Sequence, residues 1–179
     1  MTARTWTLDT NHCNLQFVAR HMVVAKVIGR FDRFSGHLRL DPERPDDGSV
    51  FVEIDAASVN SNSVDRDNHL RSADFLDVEN HPKITFESTQ LTGKSSTHLV
   101  AEGNLTIRGT THPVSLDVRR LGLMTDLWGK SRVLYHARTT INRIDFGIKW
   151  NKALDNGGWL VSERIELELD VQAVAEDEE

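Results

Sequence analysis

The sequence predicts an all-β fold, on three observations. Apolar and polar residues alternate with a period of two in runs spread along the whole 179-residue chain. Clusters rich in Gly, Asn, Asp and Ser fall between those runs, and one stretch alone interrupts the pattern. Side chains of a strand point to opposite faces in turn, so each run has a wet face and a dry face, as in an antiparallel sheet solvated on one side.

In chain order, weak alternation begins at Asn14-Leu15-Gln16-Phe17 and resumes at Gly36-His37-Leu38-Arg39-Leu40. Asp46-Asp47-Gly48 reads as a turn, and Ser49 to Asp55 as the strand after it. Ser63 to Arg71 has no two-residue face. Ser63 or Asp65 suits a helix N-cap, and early acids with a late Arg71 suit the helix dipole. Leu70, Phe75 and Leu76 then dock on the sheet, and Pro82 stops the helix and opens the next strand. The expectation is a short helical crossover near residues 63–75 that covers one end of the sheet.

Lys83 to Glu87 alternates again, and Thr92-Gly93-Lys94-Ser95-Ser96 turns the chain toward Leu99 to Ile107. Arg108-Gly109-Thr110-Thr111 turns it into His112 to Arg119. Val133 to Ile141 follows, then the tight-turn signal Asp155-Asn156-Gly157-Gly158. The clearest run, Ile165 to Val171, is aliphatic on one face and acidic on the other. In all, about eight or nine strands emerge at even spacing. Alternation does not separate a closed barrel from a two-sheet sandwich, since both turn one face of every strand inward.

Composition bounds the rest. Residues 1–175 read as one domain, and the acidic run Glu176-Asp177-Glu178-Glu179 as a disordered tail. A formal net charge of −6 leaves no basic footprint for nucleic acid. The same charge gives no attraction to an anionic membrane, so any membrane encounter must be driven by apolar contact. No run of apolar residues is long enough to span a bilayer, and Met1 to Trp6 lacks the layout of a signal peptide, so the expected compartment is the cytoplasm. Cys13 is the sole cysteine and forms no intrachain disulfide.

Several stretches then resemble the YceI-like family of polyisoprenoid-binding proteins. They are Trp6 to His12 with Leu15-Gln16-Phe17 and His21, Val27 to Gly36, and Arg66 to Asp77 leading into His81 to Ser88. Gly103 to Thr111 and Ile141 to Ile148 complete the series, which runs in order over roughly residues 5–174. The resemblance implies a closed eight-stranded antiparallel lipocalin-like barrel with an elongated apolar cavity. It implies a polyisoprenoid, an isoprenoid quinone or a similar amphiphilic lipid as ligand, no cofactor, and a homodimer. Two departures stand out: Cys13 occupies a position usually Ser in the family, and the export signal of many relatives is lacking here.

An eight-stranded barrel is either filled by its own side chains or just wide enough for one slim ligand. Leu99, Ala101, Gly103, Leu105 and Ile107 share one face, as do Val133, Tyr135, Ala137, Thr139 and Ile141, and both faces carry small residues at mid-strand. If inward, they leave space for hydrocarbon, at roughly 0.8 kcal/mol per buried methylene; alternatively, Gly103 relieves a bend and Ala137 faces a bulky neighbour. Ligand-contact candidates on apolar faces are Phe17, Phe31, Phe34, Phe86, Leu105, Leu116, Tyr135 and Phe146, with the Tyr135 hydroxyl seeking a polar partner. Arg66 and Arg143, beside Asp67 and Asn142, suit an anionic head group at the barrel mouth or else a structural role.

No catalytic or metal residues are assigned. The histidines are scattered without ligand spacing, although His12 and His21 lie within reach of one hairpin, and no nucleophile elbow or phosphate loop occurs. Cys13 and His12, adjacent in a strand pattern, point apart. The leading reading is a non-catalytic lipid carrier or sequestering protein. Its rivals are a small enzyme using Arg66, Asp67, His69, Asn142 and Arg143 at the mouth, and a solid barrel serving an interaction.

Overall fold

A computed structural model describes residues 3–176 and shows eleven strands among them. They are β1 (Arg4–Leu8), β2 (Asn14–His21), β3 (Ala25–Phe31), β4 (Phe34–Asp41), β5 (Arg44–Asp55), β6 (Val59–Asn60), β7 (Lys83–Gly93), β8 (His98–Ile107), β9 (Thr110–Thr125), β10 (Ser131–Asn142) and β11 (Arg164–Ala175). One helix, α1 (Val64–Arg71), joins β6 to β7. Every strand pairing is antiparallel, and β1 on β11 closes the sheet into a barrel.

The eleven pieces make an eight-stranded barrel because three of its strands are broken. β1 and β2 both pair with β11, and on their other side pair with β4 and β3 in turn. β3 pairs onward with β6 and β4 with β5, so β3–β4 and β5–β6 are likewise single interrupted strands. A 3-10 turn at Thr10–His12 breaks the first and another at Ala56–Ser58 the third. Each break shifts the phase of the alternation: Trp6 and Leu8 face inward on β1, whereas the odd-numbered Leu15 and Phe17 do so on β2.

One end of the barrel is sealed. Trp6, Val133 and Ala173 have no solvent exposure, and the Trp6 indole N–H donates to the Leu40 carbonyl at 3.2 Å. Above it the Arg4 guanidinium lies 4.2 Å from the ring centroid, a cation–π contact. The other end is covered by α1, the segment that follows it, and the long β10–β11 connection.

The helix begins where expected. Ser63, not Asp65, is the N-cap, its hydroxyl accepting from the Arg66 N–H. It ends at Arg71, short of the expected residue 75; the Ser72 hydroxyl bonds the His69 carbonyl and the chain turns toward His81. One turn lies elsewhere than expected. Asp46-Asp47-Gly48 is inside β5, and the chain reverses at Pro42–Glu43, where the Asp41 carboxylate accepts from the Glu43 N–H at 2.9 Å. Gly48 meets a close approach instead: a Cβ there would stand 2.6 Å from the Leu40 Cβ. At the end of the chain, Glu176 donates its N–H to Thr5 O; residues 177–179 of the acidic run lie outside the described residues.

Candidate ligand cavity

Two cavities, of about 140 Å³ and 170 Å³, occupy the barrel interior. The inner one lies toward the sealed end and the outer one toward α1. Both touch Leu15, Ile54, Leu105, Leu167 and Leu169, so they adjoin at the middle of the barrel. Each far exceeds the roughly 10–15 Å³ that a single water requires. The walls are almost wholly aliphatic and aromatic, a lining that water does not stabilise and hydrocarbon does.

The two faces read from the sequence do point inward. Leu99, Ala101, Leu105 and Ile107 are buried on β8, and Val133, Tyr135, Ala137 and Ile141 on β10. Ala101, Ala137 and Thr139 line the inner cavity. Gly103 does not contribute space, because the Phe86 ring fills the place of its missing side chain. In the same way the Phe17 ring covers Gly29, its register partner on β3.

Seven of the ten ligand-contact candidates line a cavity. Phe17, Phe31 and Arg143 line the outer one, Phe86, Leu116 and Tyr135 the inner one, and Leu105 both. Phe34, Phe146 and Arg66 line neither. Phe34 stands at the break between β3 and β4 and packs on the rim of the core. Phe146 sits in a 3-10 turn after β10, with its ring edge-on to His112 at 5.3 Å. Arg66 is exposed and spends its guanidinium on Ser61, through Nε–H to the hydroxyl at 2.7 Å and Nη2–H to the carbonyl at 2.6 Å. Leu8 and Leu91 are lining residues that lie outside the alternating runs, and Leu15 lines both cavities. The spacing of Leu8 and Leu15 spans the Thr10–His12 turn, and Leu91 follows the β7 bulge between Ser88 and Gln90.

Arg143 is the one charged side chain among the described residues that line either cavity. It is 3% exposed and donates to the carbonyls of Ser162, Ile148, Trp150 and, at 3.4 Å, Val161. These bonds fold the β10–β11 connection over the barrel mouth. Burial lowers the Arg143 pKa, and nearby Glu163 opposes the shift. Four of the five guanidinium N–H groups are thereby used, so at most one is left for a ligand.

Tyr135 brings a phenol to the wall of the inner cavity. Its hydroxyl is buried without a hydrogen-bond partner. Burial pushes its pKa up to about 12, with the Arg120 charge pulling the other way and Asp41 adding a little. A buried hydroxyl without a partner is costly, and a ligand oxygen would relieve it.

The five residues considered for catalysis are spent locally. Asp67 accepts from the Ser61 N–H and hydroxyl, and the Asn142 side chain caps the turn at Ile144. His69 bonds Asp74 at 2.8 Å and stacks edge-on between Phe75 and Trp150, forming an aromatic wall at the mouth. His12 and His21 do not converge: His12 bonds Asp9, whereas His21 lies at the far end of β2 beside Val161. The Cys13 sulfur contacts the Gln172 backbone at 3.3 Å, and burial pushes its thiol pKa up, away from the reactive thiolate. Among the described residues no group of three or more His, Cys, Asp or Glu side chains is placed to hold a metal ion, and no helix is long and apolar enough to cross a membrane.

Comparison with known proteins agrees with this architecture. The family model described as YceI-like domain matches residues 6–173. A UPF0312 protein of Shewanella oneidensis is 36% identical over 97% of this chain and 89% of its own length. Among solved structures, Burkholderia cenocepacia BcnA is similar with a TM-score of 0.81 and 20% identity, over 92% of this chain and 98% of that one. A polyisoprenoid binding domain from Saccharophagus degradans, implicated in plant cell wall breakdown, has a TM-score of 0.69 and 16% identity, over 96% and 98% of the two chains.

Proposed function

The chain belongs to the YceI-like domain family, and from that premise we propose that it is a non-catalytic carrier or sequestering protein for a long-chain polyisoprenoid or similar amphiphilic lipid. One observation carries the reading: two adjoining apolar cavities run through the barrel from α1 toward the sealed end. The likeness to a polyisoprenoid binding domain supports the same ligand class. An isoprenoid tail occupies both cavities, and each methylene taken from water contributes roughly 0.8 kcal/mol, so a few isoprene units offset the cost of immobilisation. The polar end sits at the mouth beside Arg143, or a terminal oxygen reaches inward to Tyr135. Phe17, Phe31, Phe86, Leu105 and Leu116 contact the tail.

The test is extraction of lipid from protein purified from its host, followed by mass spectrometry, together with uptake of an added prenyl alcohol or isoprenoid quinone. Stoichiometric isoprenoid supports the proposal. Repeated absence of bound lipid, with no uptake of either probe, overturns it. Cytoplasmic residence and a homodimer belong to the same reading, and cell fractionation and light scattering check them.

A further inference from the structure

The hairpin between β2 and β3 carries Met22, Val23 and Val24 into solvent, at 51%, 74% and 80% exposure. Its backbone is strained, with φ at +52° for Met22 and +70° for Val23. Consecutive left-handed residues in a hairpin turn favour Asn and Gly, and a β-branched residue there is an outlier. The turn thus holds large apolar side chains where small ones fold more easily, and strain of this kind marks functional positions. At its base Arg20 and Lys26 are register partners, two like charges directly opposed across the ladder, which is also unfavourable for folding.

The β10–β11 connection is fastened beside this tip. The Met22 N–H donates to Leu160 O at 2.9 Å and the Ser162 N–H to Arg20 O at 3.0 Å. It presents Trp159, which is 59% exposed and bridges to Ala153, next to Lys152. Asp145, Asp155 and Glu163 are the acidic residues on the same connection. The tip also adjoins the outer cavity, since Ala19 on β2 and Val161 opposite His21 both line it. A second exposed apolar group, Leu121, Met124, Leu127 and Trp128, belongs to the β9–β10 hairpin and lines neither cavity.

We propose that this side of the mouth docks on an anionic lipid bilayer, with Met22, Val23, Val24 and Trp159 entering the interface and Arg20, Lys26 and Lys152 facing lipid phosphates. Apolar and tryptophan side chains settle at the headgroup level, and adjacent cations select anionic lipid. The net charge of −6 repels such a surface at long range, so the local basic cluster orients the approach. The docking goes beyond the carrier reading and holds whatever the cavity contains.

Vesicle flotation tests it, with phosphatidylcholine alone and with roughly a third phosphatidylglycerol, both free of isoprenoid. The wild-type protein binds the anionic vesicles. Met22→Asn combined with Val23→Gly supplies the residues this turn prefers, so folding is retained, and binding falls on the order of tenfold or more. Arg20→Gln with Lys26→Gln removes the preference for anionic vesicles. Wild-type protein that fails to float, or a tip variant that floats equally well, overturns the proposal. So does a tip variant that loses self-association in light scattering, since the patch would then receive a second copy. Uptake of a prenyl alcohol delivered in solvent stays intact in the tip variant, which separates failure of docking from failure of the carrier reading.

Discussion

The Phe86 ring occupies the space of the side chain that Gly103 lacks: a Cβ at position 103 would stand 2.6 Å from the Phe86 Cζ and 2.5 Å from the Glu87 carbonyl oxygen. A ring can swing, but the backbone oxygen gives way only if the strands part. Gly103→Ala is therefore expected to destabilise the barrel by about 1–3 kcal/mol, as overpacking does. Urea denaturation measures it, and an unchanged midpoint would show that the β7–β8 pair is looser than described.

Tyr135 is the sole tyrosine of the chain, so phenolate absorbance near 295 nm reports it alone. The expected midpoint is about 12 in the folded protein, against the ordinary value of 10.0. A raised folded pKa means that the unfolded chain loses its proton first. The associated stability is complete below pH 10 and is lost as pH rises toward 12. A midpoint near 10 would show the hydroxyl to be in contact with water.

Tyr135→Phe removes a buried hydroxyl that has no partner. Ligand-free protein is expected to keep its stability or gain about 1 kcal/mol. If the hydroxyl meets a ligand oxygen, the same change weakens that ligand by about tenfold and leaves a pure hydrocarbon unaffected. Denaturation and ligand titration of the variant separate the two effects.

Arg143→Met leaves the carbonyls of Ser162, Ile148 and Trp150 without the donor that now serves them. A loss of about 3 kcal/mol or more is expected, with faster amide exchange concentrated in residues 143–163. Arg143→Lys rescues little, since one ammonium does not reach the same set of carbonyls. Exchange that rises evenly over the whole barrel would contradict a local clasp.

At the sealed end Arg132 bridges Asp9 at 2.5 Å and Asp126 at 2.8 Å. Its hydrogen bonds hold both carboxyl groups below the ordinary 3.8, against a smaller opposing effect of burial. Depressed folded values stabilise above the ordinary carboxylate range, and that contribution disappears as pH falls through the folded values. Arg132→Gln is expected to flatten the melting temperature between pH 5 and about pH 2 relative to wild type. Parallel curves for the two proteins would assign the acid sensitivity to other groups.

The strand faces were legible because residue parity alone decides which side of a strand is dry. Leu99 to Ile107 and Val133 to Ile141 are uninterrupted on their inward faces, and both contribute to the wall of the inner cavity. The Ser63 cap was legible because capping is local chemistry. Phe34 and Phe146 read as lining residues because parity counts forward without knowing where a strand breaks or turns, and Arg66 reads as a head-group partner because its charge does not show what it bonds. Phe34 stands beside the β3–β4 break, Phe146 sits past the end of β10, and Arg66 turns to a carbonyl that the helix start brings near.

The chain's local pattern determined an antiparallel all-β domain, its helical crossover and most of its inward residues, because alternation and capping depend on neighbours a few positions apart. Only the tertiary structure decided that β1 returns to β11, that Gly29 and Gly103 are filled by Phe17 and Phe86, and that the hollow lies beside Ala101, Ala137 and Thr139. Those outcomes depend on which strands meet across the barrel, and that meeting joins residues as far apart as Trp6 and Ala175.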